Sequence, residues 1–322
     1  MPDTPIRSPH RTLIIPFAAG DDPACHAQWP TLALPQLCRW LAGATLAAAD
    51  RGDAYRLSPP HERALASALG WPALADGTLP WAAWQAQRVA QPCAWFTPCH
   101  WQAGMEQVVL QPLDAAQWTE AESRALLAAL APLCAEDGIA LVYESPQRWR
   151  AEGACFADLP SASLDRVVQR RIDPWLPSAR THAAAGPLMR LMNEAQMLFY
   201  SHPVNDARAT RGLPLANGLW ISGSGSWPGP AGGPASHIQM LDGLRAPALA
   251  GDWAAWRQAW ETLDAGELAQ ALSSPQPLSL VLCGEHNALR WERPAAGAAW
   301  RERWHRWWPR RQRPAAHWLE AL

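Results

Sequence analysis

Whatever chemistry this chain performs is done without lysine: all 27 basic residues are arginine. A Schiff-base amine and a P-loop lysine are therefore excluded. The stretch richest in candidate groups is His202–Gly225, HPVNDARATRGLPLANGLWISGSG. Ser222-Gly223-Ser224-Gly225 reads as a tight turn after a short strand at Leu219–Ile221. Successive backbone N–H groups in such a turn form a nest for an anion, and serine hydroxyls add donors. Asn205, Arg208 and Asn217 flank it, and one arginine can neutralise a phosphate or carboxylate. The expected ligand-binding set is thus Asn205, Arg208, Asn217, Ser222, Gly223, Ser224 and Gly225. The competing reading is structural. In it the two asparagines cap local backbone, Arg208 pairs with Asp206 or Glu194, and SGSG, which lacks dinucleotide or P-loop spacing, is a plain loop.

Other groups offer less. Ser58 and Ser67 lack the GxSxG elbow of an esterase. His182, His237 and His305 have no partner at metal spacing. The seven cysteines (25, 38, 93, 99, 134, 155 and 283) are odd in number and scattered, so free, buried thiols are expected. Cys99-His100 and Cys25-His26 are adjacent pairs, whereas zinc sites use ligands two to five residues apart in sets of four. No metal site and no cofactor is expected.

The elements that must position these groups can be read from periodicity. Thr12–Phe17 is a short apolar run, hence a buried strand. Pro35–Ala44 and Ser58–Gly70 read as short helices. Glu106–Leu110, Thr119–Ala135 and Ile139–Glu144 form a strand–helix–strand unit, its helix opened by a Thr119/Glu122 capping box and ended by Gly138. Leu188–Tyr200 is an amphipathic helix stopped at His202-Pro203. Asp252 caps a helix with Trp253, Trp256, Trp260 and Leu263 on one face, and Leu278–Cys283 is a last buried strand. Residues 73–98, rich in Trp, Pro and Ala, carry no clear period.

Composition bounds the class. The 322 residues are 49% hydrophobic with formal net charge −2, enough for a packed core and too neutral for a protein that binds nucleic acid by overall basicity. No apolar run reaches the length of a membrane span, and Met1–Pro5 has no signal-peptide layout, so a cytoplasmic protein is expected. Residues 290–313 hold eight Arg and two Glu, with Trp300, Trp304, Trp307 and Trp308 at helical spacing. Such a tail suits nucleic acid or an anionic membrane, but docking of the Trp face on the chain's own core is the favoured use.

The longer pattern at His202–Gly225 resembles the archaeal-type, cofactor-independent phosphoglycerate mutases of the alkaline-phosphatase-like superfamily. These carry HPxN, then Arg, GLxPAN, a strand and an RGxG turn. His202, Pro203, Asn205, Arg208, Gly212, Leu213, Ala216, Asn217, Gly223 and Gly225 match in order, while Leu215 stands at a usual proline and Ser222 at the usual arginine. The chain is similar also to the RpfE-type bacterial regulatory proteins through NEAQMLFYSHPVND (193–206), SGSG, DWAAW (252–256) and LCGE (282–285). The resemblance implies an α/β fold: an alkaline-phosphatase-like, parallel-rich sheet flanked by helices, with a smaller inserted α+β subdomain. Thr12–Phe17, Leu219–Ile221 and Leu278–Cys283 would share that sheet. The implied divisions are 1–98 and 188–289 for the two parts of the core, 99–187 for the insert and 290–322 for the tail.

The resemblance also implies a serine nucleophile, two metals in an Asp/His cage and arginines on the substrate. This chain departs at each. Phe17 or Ala18 stands where the first metal Asp ends its strand, with Asp21 and Asp22 a few residues later. His61 falls at the nucleophile position, Gln111–Thr119 contains no Arg where the substrate clamp belongs, and Glu285-His286 are all that remains of the C-terminal metal region. The expected protein is therefore phosphoglycerate-mutase-like but catalytically inactive and metal-free. It would have a binding or regulatory role toward a small anionic metabolite or a protein partner. Two alternatives are kept. One is a residual phosphomutase or phosphatase using His61 or Ser222/Ser224 with a metal at Asp21/Asp22; the other is an adaptor acting through the tail.

Overall fold

The structure is a computed structural model describing residues 11–178, 182–229, 237–274, 276–293 and 314–322. The strands are β1 (Arg11–Ile15), β2 (Thr45–Asp50), β3 (Cys93–Ala103), β4 (Val108–Pro112), β5 (Ala140–Ser145), β6 (Arg148–Glu152), β7 (Gly218–Gly225), β8 (Ile238–Met240), β9 (Leu278–Cys283) and β10 (Ala288–Glu292). The helices are α1 (Pro23–His26), α2 (Pro35–Leu41), α3 (Pro60–Ala68), α4 (Trp81–Gln85), α5 (Glu120–Glu136), α6 (Leu164–Val167), α7 (Ala185–Tyr200), α8 (Pro203–Thr210), α9 (Arg245–Leu249), α10 (Trp253–Leu263), α11 (Ala269–Ser273) and α12 (Ala315–Leu319). The chain forms two units. One comprises Met1–Ala54, Pro59–Trp71 and Gly232–Leu322; the other comprises Tyr55–Ser58 and Pro72–Ala231.

The first unit is a five-stranded sheet in the order β2-β10-β9-β1-β8. β1 is parallel to β8 and β9, whereas β10 is antiparallel to β9 and β2. The sheet is therefore mixed rather than parallel-rich. The reason is local: Gly284-Glu285-His286-Asn287 closes a tight hairpin, with the Gly284 N–H donating to the Asn287 carbonyl at 2.9 Å, and turns β10 back along β9. β1 and β9 are unbroken apolar runs because both of their faces are covered. Leu13, Ile15, Leu280 and Leu282 pack with Leu37, Trp40, Trp256 and Trp260 from α2 and α10. Ile14, Val281 and Cys283 pack under Ala64, Leu65 and Ala68 of α3.

The second unit is an antiparallel sheet in the order β4-β3-β6-β5, with β7 paired to the other side of β3. α5 is opened by the expected Thr119/Glu122 capping box, and Gly138 takes up φ +71° after it. Trp118, Trp149 and Phe199 are buried. The Trp149 indole donates to Ser123 Oγ at 2.9 Å, and Ser123 Oγ in turn donates to the Pro146 carbonyl.

Three expectations are corrected. Leu219–Ile221 lies in β7, bonded to β3, and not in the sheet of β1 and β9. Its partner sits in the stretch that showed no period. Pro98 interrupts the pattern of β3, yet it falls between the part of β3 that β6 covers and the part that β4 covers, where that side receives no N–H. Second, Ser222–Gly225 is not a turn but the continuation of β7. The register shifts opposite Cys93–Trp95, and Gly223 at φ +62° forms the bulge that lets the strand run on. Third, residues 72–98 and 188–229 fold with the expected insert, and Arg290–Glu292 belong to β10 rather than to a tail. The tail's Trp300, Trp304, Trp307 and Trp308 lie outside the described residues.

Candidate functional site

Within the second unit the expected ligand-binding residues do come together, but around one another. Asn205 in α8 is 2% exposed. Its Nδ2 donates to the carbonyls of Phe199 (2.7 Å) and Ala216 (3.0 Å), and its Oδ1 accepts from the Ala216 N–H (2.9 Å). This ties the end of α7 to the approach of β7. Arg208, one turn on, is 1% exposed. Its Nε donates to the Pro214 carbonyl (2.8 Å) and its Nη1 to the Gln117 carbonyl (2.9 Å), with Glu122 at 3.4 Å and the Trp118 ring beneath it. Its acidic partner is thus Glu122, not Asp206 or Glu194.

Asn217 extends the β3–β7 ladder by one rung made from a side chain. Its Oδ1 accepts from the Trp101 N–H (2.7 Å) and its Nδ2 donates to the Trp101 carbonyl (3.2 Å). Ser222 and Ser224 are buried, and Ser224 Oγ donates to the Leu159 carbonyl while meeting Ser161 Oγ at 2.6 Å. Gly223 and Gly225 adopt positive φ with Trp95 and Pro80 pressed against them. Asn205, Arg208, Asn217 and Ser224 thus bond the protein's own groups and form a junction that ties α7 and α8 to β7 and β3.

Glu122 holds the junction from the α5 side. Burial pushes its carboxyl up, but the N–H and hydroxyl of Thr119, the guanidinium of Arg211 and the charge of Arg208 outweigh that, leaving it below the ordinary range. Sequence spacing signalled Glu122 as a capping residue; nothing in it signalled the long-range arginines.

Within the first unit the remaining chemical candidates collect at one edge of the sheet, where β1 and β9 end. Open α/β sheets bind ligands at the carboxyl ends of their parallel strands. Here Phe17, at φ +56°, and Ala18 follow β1. Asp21 Oδ2 lies 2.7 Å from His286 Nε2, and the Asp21 N–H donates to Glu285 at 3.2 Å. Asp22 caps α1 through the Ala24 N–H and accepts from the Trp253 indole at 3.0 Å, and these bonds lower its pKa. His61, buried at the start of α3, sets its ring 5.2 Å from that of Phe17. Arg63 bonds Asp50 at 2.6 Å and donates to the His286 carbonyl at 3.0 Å.

The indoles of α10 fix this edge. Trp256 donates to the Phe17 carbonyl (2.8 Å), Trp260 to the Ala18 carbonyl (3.1 Å) and Trp253 to Asp22, at spacings of three and four residues on one helical face. Sequence reasoning read these tryptophans as core and missed their hydrogen bonds. The edge therefore gathers His61, Asp21, Asp22, Glu285 and His286, but among the described residues no three His, Cys, Asp or Glu are placed to hold a metal ion. A two-metal cage does not fit residues of which two pair with each other and a third caps a helix. Nucleophilic cysteine chemistry is also disfavoured, since burial raises the Cys25 and Cys283 thiols.

No family model matches this chain, and no curated protein matches it. Among solved structures it is similar to the cofactor-independent phosphoglycerate mutase from Thermoplasma acidophilum DSM 1728, with 14% identity and a TM-score of 0.34 over 88% of this chain and 89% of that one. It is similar also to the PH0037 protein from Pyrococcus horikoshii, with 12% identity and a TM-score of 0.43 over 88% of this chain and 87% of that one. No described helix is long and apolar enough to cross a membrane.

Proposed function

We propose that this chain is a phosphoglycerate-mutase-like protein, of the RpfE-like kind, that works by binding or regulation and not by phosphoryl transfer. One observation carries the reading. Just beyond β1, Phe17 and Ala18 bring no carboxylate, and the Trp256 and Trp260 indoles hold their carbonyls, where the resemblance would call for a metal-binding carboxylate. Phosphoryl transfer in the resembled enzymes rests on metal charge and on arginines that neutralise the transferred group. Arg63 of α3 is already committed to Asp50 and the His286 carbonyl. The test is a 2-/3-phosphoglycerate interconversion assay with Mn²⁺ or Mg²⁺, run beside metal analysis of the purified protein. Turnover at background and no stoichiometric metal is the expected result.

A second reading has one observation in its favour: His61, Asp21 and His286 share a sheet edge. A residual phosphatase or phosphomutase would use His61 as acceptor of the phosphoryl group. Metal-dependent turnover that His61→Ala abolishes would replace the first reading with this one.

A further inference from the structure

α8 starts two residues after α7 ends, and His202 is its N-cap. The His202 backbone, at φ −84° and ψ 137°, is extended, as an N-cap and the residue before a proline both require. Its carbonyl accepts from the N–H groups of Asn205 at 2.8 Å and Asp206 at 3.4 Å. Its side chain adds a second hold, for Nδ1 accepts the Val204 N–H at 3.2 Å. A main-chain amide only donates, so this nitrogen holds a lone pair and no proton. Elsewhere among the described residues the side-chain caps are Asp22, Thr119, Ser163 and Asp252. Carboxylates and hydroxyls remain acceptors between pH 5 and about pH 8, whereas an imidazole changes charge in that range. His182 repeats the arrangement just ahead of α7, its Nδ1 accepting the Ala184 N–H at 3.2 Å.

We propose that His202 is a proton-operated latch at the start of α8, closed while Nδ1 carries no proton and released when it gains one. Protonation opposes two donors, the new Nδ1–H and the Val204 N–H. It also sets a positive charge at the N-terminal end of α8, the positive end of the helix dipole. The charged groups of the elements around it are committed elsewhere. α8 brings Asp206 in its first turn, with Arg208 and Arg211 beyond. α7 brings Glu194, paired with Arg190 at 3.6 Å, and α5 brings Glu122, held by Arg208 and Arg211. Among the described residues none of these carboxylates pairs with the His202 ring, so no ion pair offsets the lost cap. α8 carries Asn205 and Arg208, and the latch therefore acts on the junction those two residues make with the end of α7 and the approach to β7.

Hydrogen–deuterium exchange of the full chain at pH 8 and pH 5, corrected for the intrinsic exchange rate at each, tests this. Protection in the first turn of α8 should fall about fivefold at the lower pH, the factor that corresponds to a cap of about 1 kcal/mol. The first turn of α5, capped by Thr119, should keep its protection. His202→Asn supplies an acceptor that does not titrate, and should abolish the pH response while retaining the protection seen at pH 8. His202→Ser serves if that variant does not fold. His202→Ala should show the lower protection at both pH values. Equal protection of wild-type α8 at the two pH values, or a fall that His202→Asn retains, overturns the proposal. So does a fall shared equally by α5, because the response would then belong to the whole unit and not to the cap.

Discussion

The Trp256 indole donates to the carbonyl of Phe17 across 2.8 Å, linking α10 to the first residues beyond β1. Trp256 is fully buried. The bond does two things: it satisfies the Phe17 carbonyl, and it fixes the backbone just beyond β1. Trp256→Phe keeps most of the packing and removes the donor. Leaving a buried acceptor unpaired costs roughly 1–3 kcal/mol, so urea unfolding should show that loss with an unchanged m-value. Trp256→Ala adds a cavity and should cost about 3–5 kcal/mol.

Arg208 decides between a ligand site and a scaffold role. Its guanidinium is buried against two carbonyls, a carboxylate and an indole ring. Arg208→Ala strands all of them, and breaking one side of a buried charged contact costs about 3–5 kcal/mol. The expected result is a drop of several degrees or more in melting temperature. Calorimetric titration with phosphate or 3-phosphoglycerate should give the same null signal before and after the change. Anion binding by the wild type that disappears in a variant of unaltered stability would restore the site.

What could be read from sequence was local. The capping box at Thr119, the stop at Gly138, the Asp252 cap and the apolar runs of β1 and β9 depend on neighbours within a turn or two, and each is present. What could not be read was pairing. β7 looks like a core strand whichever sheet receives it, and its partner β3 is obscured by Pro98 and by mixed tryptophans. The polar residues of the junction are open to two readings for the same reason. Asn205 and Asn217 are the right chemistry for a ligand and equally for a backbone carbonyl, and only the fold shows which of the two stands opposite.

Two carboxylates should respond to pH in opposite senses. Glu122 sits below its ordinary pKa, so its contribution is present above the unfolded-state value and is lost as pH falls through the folded value. Burial holds Asp264 above its ordinary pKa, against the amide hydrogen bonds it accepts from Gln36 and Leu37. Its contribution is present below the unfolded-state value and is lost as pH rises through the folded one. Unfolding free energies measured between pH 3 and about pH 7 should show both. Glu122→Gln should flatten the loss of stability on the acid side. Asp264→Asn should remove the decline that accompanies rising pH just above the usual carboxylate range.

The glycines give the sharpest test of whether SGSG is a bulged strand or a free loop. Gly223 has φ +62°, and a methyl group there would come within 2.8 Å of the Trp95 ring. Gly212, after α8, has φ +68° and nothing within 4 Å of the same position. Both replacements by Ala pay for left-handed backbone, about 1 kcal/mol. Only Gly223→Ala must also push a ring that Arg148 covers at 4.7 Å and that stands beside Trp81. Overpacking of that kind adds about 1–3 kcal/mol. Gly223→Ala should therefore unfold at clearly lower urea than Gly212→Ala, with Trp fluorescence perturbed in the native state of Gly223→Ala alone. Equal, small losses for the two would mean that residues 222–225 stand free of β3, and the bulged-strand assignment would fail.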